Sequence, residues 1–400
     1  MNEKLILVGG SCEESKTQLI DALIRIHPDI YARLISSTTR NRCTDDGDHE
    51  SILTTELEFY DLHTESMEEI IHAGKIPLVE IHPKNHLKIN NKLNGGAMSV
   101  LIKTSHTLKD DIRASEDNQY CKGMSDDNFD IIFCYDVNKS PENNAKYFHM
   151  KLSVVSTFQQ IFPPSGEIDS TTRSGYNKVA EYFTEEKRIT TRNFHELSVD
   201  FFKEMFEKYV EKGKRVLEVG TGRGWLSKTV FPKSEEYISL DISDKMTENN
   251  PCKNKVTASA RCINSAIEEY DVVVASLADP YFYPEALCEI ARVLKSGGHF
   301  IFSLPSHEWA NAQRIGGNNN KNVFTLDSGE MVEIYSFTFS KETLNELMKS
   351  CGFRSVKVVS ENGSKLFGKE ISTSIIQAAE NVGKSINELE IVTMAVFQKV

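Results

Sequence analysis

Hydrophobic positions along the chain form two kinds of pattern, short continuous apolar runs and a longer stretch with a helical repeat. The runs at 216–219 and 270–275 predict buried strands, and 4–8 predicts a first strand near the amino terminus. The stretch 194–209 carries apolar side chains at a spacing near 3.6 residues, which predicts a helix that covers a sheet. Apolar runs mixed with helical repeats are typical of an α/β protein.

The 400-residue length exceeds one ordinary hydrophobic core, so two domains are expected. Residues 159–175 are rich in Pro, Ser, Thr and Gly, and they predict a linker between a domain at 1–158 and a domain at 176–400. Directly after this linker, residues 176–187 predict a short helix. The pattern therefore divides the chain near its first third.

The carboxyl-terminal half contains further predicted elements. Residues 324–339 predict a hairpin, and Ser340 is placed to cap a helix that ends near Gly352. Residues 355–359 and 390–400 predict the last two strands, with an insertion between them.

A glycine turn follows the strand at 216–219, and a second short strand then delivers Asp241. A β-turn-α-β unit lets backbone N–H groups approach a ligand closely, while an acid at the second strand tip can accept from ribose hydroxyls. The dinucleotide fingerprint G-x-G-x-x-G requires glycine at position 225, which is Trp225. The turn instead has G-x-G-x-G, with Glu218 two residues before the first glycine.

This pattern resembles motif I of class I S-adenosylmethionine (SAM)-dependent methyltransferases, and the later string ARVLKSGGHFIF resembles their helix-to-strand signature. The resemblance implies a Rossmann-like seven-stranded sheet and SAM as the cofactor. In that family the acid before the glycines holds the amino-acid end of the ligand, and the second acid takes the ribose diol. The cofactor-binding residues that the resemblance implies are Glu218, Gly220, Thr221, Gly222, Gly224, Asp241, Ile242, Ser265, Ala266, Ser276 and Leu277.

Side chains near the strand tips and on the lid are predicted to position the substrates or to remove the acceptor's proton. Asp279 and His307 follow the fourth and fifth strands, and ligands of open α/β sheets lie over the carboxyl ends of strands. We therefore expect these two residues to pair as a proton acceptor; the alternative is a helix-capping Asp279 and a loop residue His307. Tyr176 resembles the lid tyrosine of many small-molecule methyltransferases.

The first predicted strand runs into a loop, Lys16-Thr17 and a helical pattern, which is the context of a phosphate-binding P-loop. Ser15 replaces the second glycine of G-x-x-x-x-G-K-[ST], and Glu13 and Glu14 lie inside the loop. A carboxylate 4 Å from a phosphate costs about 1 kcal/mol in water and more when desolvated. The loop is therefore predicted to be degenerate.

The order of segments over 1–158 resembles guanylate kinase and related nucleoside-monophosphate kinases. The resemblance implies a P-loop kinase-like α/β domain that binds ATP or GTP. In it Lys16 and Thr17 would meet phosphates, Gly10 would belong to the nucleotide-binding loop, and Arg40 and Glu80 would meet a nucleotide acceptor. Phosphoryl transfer needs cations on the transferring group, yet 94–118 contains a single arginine. Three alternatives stay open: a catalytically dead domain used for packing or partner contact, a nucleotide-binding domain without turnover, and an active kinase.

Charge and composition favour a small-molecule partner. The net charge is −12 without an extended basic stripe, so nucleic acid is disfavoured. No apolar run approaches the roughly 20 residues of a membrane span, and the amino terminus lacks a signal-peptide pattern, so a cytoplasmic protein without a membrane partner is predicted. The eight cysteines contain no C-x-x-C pair or zinc spacing, so no metal is predicted. The oligomeric state is not predicted.

The sequence thus predicts a methyltransferase that uses SAM to methylate an O or N atom of a small molecule. One alternative is a bifunctional nucleotide-binding or kinase enzyme with a nucleotide-like methyl acceptor. The other alternative is a regulatory protein that binds SAM without catalysis.

Overall fold

The computed structural model describes residues 5–10, 13–34, 36–37, 61–62, 64–81, 86, 89–90, 93, 96–104, 126–184, 187–211, 213–229, 236–314 and 320–400. The chain forms two compact units. The first unit comprises residues 1–166 and 264–266, and the second unit comprises residues 167–263 and 267–400. Arg40, predicted to bind nucleotide, lies outside the described residues.

The first unit is built on a parallel sheet. Its described strands are β1 (Ile6–Gly10), β2 (Tyr31–Arg33), β3 (Ser36–Ser37), β4 (Asp61–Leu62), β5 (Ile76–Glu80), β6 (Met98–Thr104) and β7 (Ile131–Tyr135). Its longer described helices are α1 (Glu13–Ile26), α2 (Thr64–His72) and α3 (Pro141–Phe158). Five strands pair in the order β2-β5-β1-β6-β7, all parallel, and the short strands β3 and β4 form a separate pair.

Strand β1 lies at the centre of this sheet, and all five of its residues are buried. Because successive side chains of a strand point to opposite faces, Ile6 and Val8 pack with α1 and α3 while Leu7 packs in a second cluster with Val79. The apolar run at the amino terminus is therefore a central strand with both faces covered, as parallel sheets require.

The second unit is built on a larger sheet. Its strands are β8 (Val216–Val219), β9 (Tyr237–Asp241), β10 (Lys255–Thr257), β11 (Tyr270–Ser276), β12 (Leu294–Pro305), β13 (Lys321–Thr325), β14 (Met331–Tyr335), β15 (Phe353–Asn362) and β16 (Glu390–Lys399). Its α-helices are α4 (Ser165–Val179, which begins at the unit boundary), α5 (Ile189–Tyr209), α6 (Trp225–Thr229), α7 (Asp244–Glu248), α8 (Pro284–Val293), α9 (His307–Gln313), α10 (Lys341–Ser350) and α11 (Thr373–Asn381).

Seven of these strands form one sheet in the order β10-β9-β8-β11-β12-β16-β15. The first five are parallel, and β16 runs antiparallel to both β12 and β15. Helix α5 covers the sheet through Phe194, Leu197 and Phe202, which share a core with Val216 and Val272. The predicted seven-stranded sheet and its final antiparallel pair are confirmed.

Several local predictions are confirmed as well. Strands β13 and β14 form the predicted hairpin, which turns around Gly329 at φ +82°. Ser340 caps α10 by accepting a hydrogen bond from the Thr343 backbone N–H. None of the helices that the structure describes is long and apolar enough to cross a membrane.

The predicted linker at 159–175 needs correction. Helix α4 begins at Ser165, and its residues 176–179 are the first part of the segment that was expected to form a separate helix. The helix contains Ser, Thr and Gly, which are weak helix formers. Its burial explains why it forms, because Ile168, Asp169 and Thr172 are each 1% exposed and packing outweighs weak propensity.

Candidate functional site

The turn after β8 has an unusual backbone, since Gly220, Gly222 and Gly224 adopt φ values of +68°, +51° and +76°. L-residues rarely adopt these values, so glycine is favoured at each position. At two positions, packing adds a second requirement. A Cβ on Gly220 would lie 2.5 Å from the Ala278 Cβ, and one on Gly224 would lie 2.7 Å from Asn250 Oδ1.

Asp241, at the end of β9, faces this turn. Its Oδ2 accepts a hydrogen bond from the Gly222 N–H at 2.8 Å, and its Oδ1 accepts one from the Ser243 N–H at 2.9 Å. The carboxyl group is 5% exposed, and burial raises its pKa to about 6 despite these hydrogen bonds. The predicted turn and its predicted acid are therefore in direct contact.

Glu218 anchors the turn from the β8 side. Its Oε2 accepts hydrogen bonds from the Thr221 hydroxyl at 2.7 Å and from the Tyr237 hydroxyl. Asn250 donates to Thr221 Oγ1 at 2.8 Å, which extends this polar network. Burial of the carboxyl group raises the pKa of Glu218 to about 7.

The tip of β11 carries two further predicted cofactor residues. Leu277 has φ +52°, a strained value for a side chain of this size, and its N–H donates to the Ser303 carbonyl at 3.0 Å. The Ser276 hydroxyl is buried and has no hydrogen-bond partner among the residues described. Strain and an unsatisfied polar group at a strand tip are typical of ligand sites.

Two more predicted cofactor positions behave differently. The Ile242 N–H donates to the Tyr281 hydroxyl at 3.0 Å, which fixes the backbone after Asp241. Ser265 and Ala266 group with the first unit, so the second unit's geometry gives no information about their predicted contact with adenine.

Asp279 starts a short 3₁₀ helix after β11 and is 6% exposed. Burial raises the pKa of Asp279 to about 6, against the effects of a hydrogen bond from Ser336 and the charge of Arg314. Arg314 in turn donates to Ser336 Oγ at 2.6 Å and to Asn322 Oδ1 at 2.8 Å. A buried acid whose pKa lies near neutrality is suited to accept a proton.

The carboxyl-terminal part of α4 lies over the glycine turn. Asn177 Oδ1 accepts a hydrogen bond from the Ser243 hydroxyl at 2.6 Å, and the Arg223 guanidinium donates to the Ala180 carbonyl at 3.0 Å. Burial and the charges of Asp279 and Asp241 raise the pKa of Tyr176 well above its ordinary value. The charges of both acids therefore act on Tyr176, and the role of this tyrosine as a lid residue stays a prediction.

The expected pairing of Asp279 with His307 is not formed. His307 is exposed at the start of α9, and its Nε2 lies 3.0 Å from the Asn311 side-chain nitrogen. It borders a groove of about 500 Å³ with Glu308 and Lys341, whereas Asp279 faces Ser336 and Arg314. Adjacent strand tips do not bring these side chains together because α9 starts directly after β12 and carries His307 outward.

The first unit brings two of its predicted nucleotide residues together. The Thr17 hydroxyl donates to Glu80 Oε2 at 3.0 Å, and Arg33 donates to Glu80 Oε1 at 2.6 Å. Lys16 is 6% exposed. At Gly10 a Cβ would lie 2.7 Å from the Ile102 carbonyl oxygen, so close strand packing explains this glycine.

Sequence reasoning missed Arg314 in the second unit and Arg33 in the first. Neither residue belongs to a motif or to a periodic pattern, and each is brought to its acid by the fold. A single arginine in a loop or short strand gives no motif or periodic pattern from which its partner could be predicted.

Residues 189–358 match a protein-family model described as a methyltransferase domain. The second unit contains a methyltransferase domain. The matched residues include the glycine turn, Asp241 and Asp279. The methyltransferase domain thus contains the turn that the sequence pattern singled out.

Two curated relatives have similar sequences over part of this domain. The chain is 35% identical over 107 residues to the ribosomal protein L11 methyltransferase of Dictyoglomus thermophilum, which is 25% of this chain and 35% of the relative. It is 31% identical over 106 residues to the demethylmenaquinone methyltransferase of Tropheryma whipplei. This match covers 24% of this chain and 44% of the relative. The chain thus spans less than half the length of these relatives.

A solved structure of an S-adenosylmethionine-dependent methyltransferase from Mesorhizobium loti is 16% identical. It covers 51% of this chain and 98% of its own, with a TM-score of 0.36.

The stability of the methyltransferase domain is expected to fall as pH rises from 5 to 8. The folded state raises the Glu218 pKa to about 7, above the value of about 4.3 expected in the unfolded chain. The folded state therefore binds the extra proton, and the stabilisation present at low pH is lost as pH rises through 7. For Glu218 the full shift corresponds to about 4 kcal/mol in the free energy of unfolding, and Asp241 and Asp279 act in the same direction.

Both tryptophans, Trp225 and Trp309, belong to the second unit, so urea unfolding followed by tryptophan fluorescence reports on this domain. Glu218→Gln should flatten the pH dependence between 5 and 8 because the amide does not titrate. Exposed Glu346→Gln on α10 is the matched control and should leave it unchanged. An equally steep dependence in both variants would contradict the assignment to Glu218.

Proposed function

We propose that the second unit binds SAM over the glycine turn and transfers its methyl group to an O or N atom of a small molecule. The observation that carries the proposal is the contact between Asp241 and the Gly222 N–H within a turn of three left-handed glycines. A buried acid held beside an open backbone turn suits a nucleoside with a ribose diol.

Residues around the turn offer partners for both the ribose and the amino-acid end of SAM. We assign the ribose hydroxyls to the Asp241 carboxylate, whose oxygens each keep a free lone pair after accepting one N–H bond. We assign the ligand's ammonium group to the Glu218 carboxylate, which directly precedes the glycine turn and is held in place by Thr221 and Tyr237. The unsatisfied Ser276 hydroxyl offers a further polar contact.

When bound, SAM supplies an electrophilic methyl group on a sulfonium. The chain's own contribution is to orient the acceptor, to exclude water and to take the acceptor's proton. We assign proton removal to Asp279 because this buried carboxyl, with a pKa of about 6, is ionised at neutral pH and faces Tyr176. The Asp279 carboxylate would take the proton that the acceptor atom loses on methylation. We assign no role to His307.

We further propose that the first unit is a degenerate kinase-like domain that serves packing or partner contact. In a working phosphate loop the Thr17 hydroxyl would be available to a metal-bound phosphate. Here it donates to Glu80, which Arg33 also occupies. The predicted nucleotide acceptor residue is thereby engaged within the protein.

Calorimetry and thermal-shift measurements on the full chain with SAM, its demethylated product S-adenosylhomocysteine (SAH), ATP, GMP and GTP test both proposals. We expect SAM and SAH to bind one per chain and the nucleotides not to bind. Asp241→Asn should weaken SAM at least tenfold, because a neutral amide accepts more weakly from the ribose diol.

Failure of SAM to bind would refute the main proposal, and binding of GMP or ATP would instead favour the bifunctional alternative. Methyl transfer from SAM to any small molecule would exclude a purely regulatory SAM-binding protein.

A further inference from the structure

A hydrophobic cluster joins the carboxyl-terminal end of α4, which is the proposed lid, to the β13–β14 hairpin. We call this the lid cluster; it comprises Tyr176, Val179, Phe183, Phe324, Leu326, Val332 and Ile334. The Tyr176 and Phe183 rings meet edge to face with their centroids 5.9 Å apart. The cluster forms an apolar wall between the end of α4 and the hairpin.

One cation lies against this wall. The Arg188 guanidinium carbon is 4.6 Å from the centroid of the Phe324 ring and 5.9 Å from that of the Phe183 ring. Arginine stacks favourably on aromatic faces, and this stacking holds the planar guanidinium group in one orientation. The position of the charge is therefore defined by packing.

The guanidinium of Arg188 has an unused hydrogen-bond donor within the described part of the chain. Its Nε is buried and has no partner there, and no carboxylate there forms an ion pair with it. Asp327 is the nearby acid, but it pairs with Lys187 at 3.5 Å. A half-buried guanidinium without an acceptor is costly, so a ligand with a complementary group would be stabilised there.

The charges around Arg188 connect it to the proposed acceptor side. The ionisable groups that face it are Tyr176 and Asp327. Tyr176 also faces Asp279, the proposed proton acceptor. The charges of Arg188 and Asp279 thus both act on Tyr176, which places the guanidinium and the proposed proton acceptor in one neighbourhood of the second unit.

We propose that Arg188 binds a carboxylate of the methyl acceptor, so that the acceptor is a small carboxylate-bearing molecule with an apolar or aromatic body. This inference rests on the proposed function. The guanidinium fork matches the two oxygens of a carboxylate. A phosphate dianion fits less well, because Lys187, the neighbouring cation, is already paired and Asp327 and Asp279 would repel the second charge.

The position of Arg188 favours the acceptor over the cofactor's own carboxylate. Its contacts are with the lid and the hairpin, through Phe183 and Phe324. The cofactor's amino-acid end is assigned to Glu218, whose hydrogen-bond partners are Thr221 and Tyr237. The two ends of the site therefore use separate sets of residues.

Benzoate and its neutral analogue benzamide test the inference, titrated by calorimetry into the full chain saturated with SAH. Benzoate should bind about tenfold to a hundredfold more tightly than benzamide, the range expected for a charge-assisted contact. Arg188→Gln should remove that preference while changing the affinity for SAH less than twofold. Arg188→Lys should keep part of it, and Lys187→Gln, which removes a neighbouring cation, should keep it in full.

Equal affinities of the wild-type chain for benzoate and benzamide would overturn the inference, and so would a preference that survives in Arg188→Gln. A parallel loss of SAH affinity in Arg188→Gln would assign the guanidinium to the cofactor instead and would also overturn it. Failure of the wild-type chain to bind SAH would count against the proposed function itself, so the two failures are distinguishable.

Discussion

Replacing Gly220 by alanine should abolish detectable SAM binding. The added Cβ would lie 2.5 Å from the Ala278 Cβ and 2.9 Å from Tyr281 Cε2, inside the distances that packed carbon atoms tolerate. Relief requires the turn to move, and that movement would separate the Gly222 N–H from Asp241. Calorimetry should show at least a hundredfold loss of affinity, and urea unfolding should show a loss of about 2–4 kcal/mol.

Gly213→Ala is a matched control for this substitution. Gly213 also has a positive φ, +85°, but a Cβ there would meet nothing within 4 Å. Both variants therefore carry the strain of a left-handed alanine, about 1 kcal/mol, and only Gly220→Ala adds crowding. Similar SAM affinities for the two variants would show that the turn's close packing is not what forms the site.

Asp279→Asn is expected to lower kcat by about a hundredfold to ten-thousandfold, the contribution typical of a general base. The affinity for SAM should stay within about twofold, because the acid faces the acceptor side in the proposed mechanism. In the wild-type enzyme, kcat should fall as pH drops through about 6, where the Asp279 carboxylate becomes protonated. The variant should lack that limb of the pH profile.

Exposed Asp200→Asn on α5 removes an acid of the same type that is not among the described partners of Asp279, and it should leave kcat unchanged. Ser336→Ala is informative in a second way, because it removes a hydrogen bond that lowers the Asp279 pKa. The acid limb of kcat should then shift to higher pH. Identical pH profiles of kcat in the wild type, Asp279→Asn and Ser336→Ala would contradict the assignment of Asp279 as base.

The parts of the site that the sequence predicted are those in which chemistry and local backbone coincide. Gly220, Gly222 and Gly224 mark a turn that only glycine adopts easily, and Asp241 directly follows a short apolar strand. Both signals are local, so a single sequence is enough to read them.

Contacts between distant segments could not be predicted in the same way. The Asp279–His307 pair was expected from adjacent strand tips, but the direction of a side chain depends on the helix that follows each strand. Arg314 reaches Ser336 across 22 positions of sequence, and Arg33 reaches Glu80 across 47. Helix α4 was missed for a related reason, since tertiary burial stabilises a segment whose own propensity is low.

Two hydrogen bonds fasten the end of α4 and the residue that follows it: Ser243 donates to Asn177, and Arg223 donates to the Ala180 carbonyl. These bonds should affect the rates of ligand binding and release. If the end of α4 covers the proposed cofactor site, a ligand can enter only when these two hydrogen bonds break. The rate of ligand capture should then saturate as ligand becomes abundant, because helix opening sets the pace. The same two hydrogen bonds would slow release of the demethylated cofactor. Opening of α4 would then limit the rate of both cofactor binding and product release in each catalytic cycle.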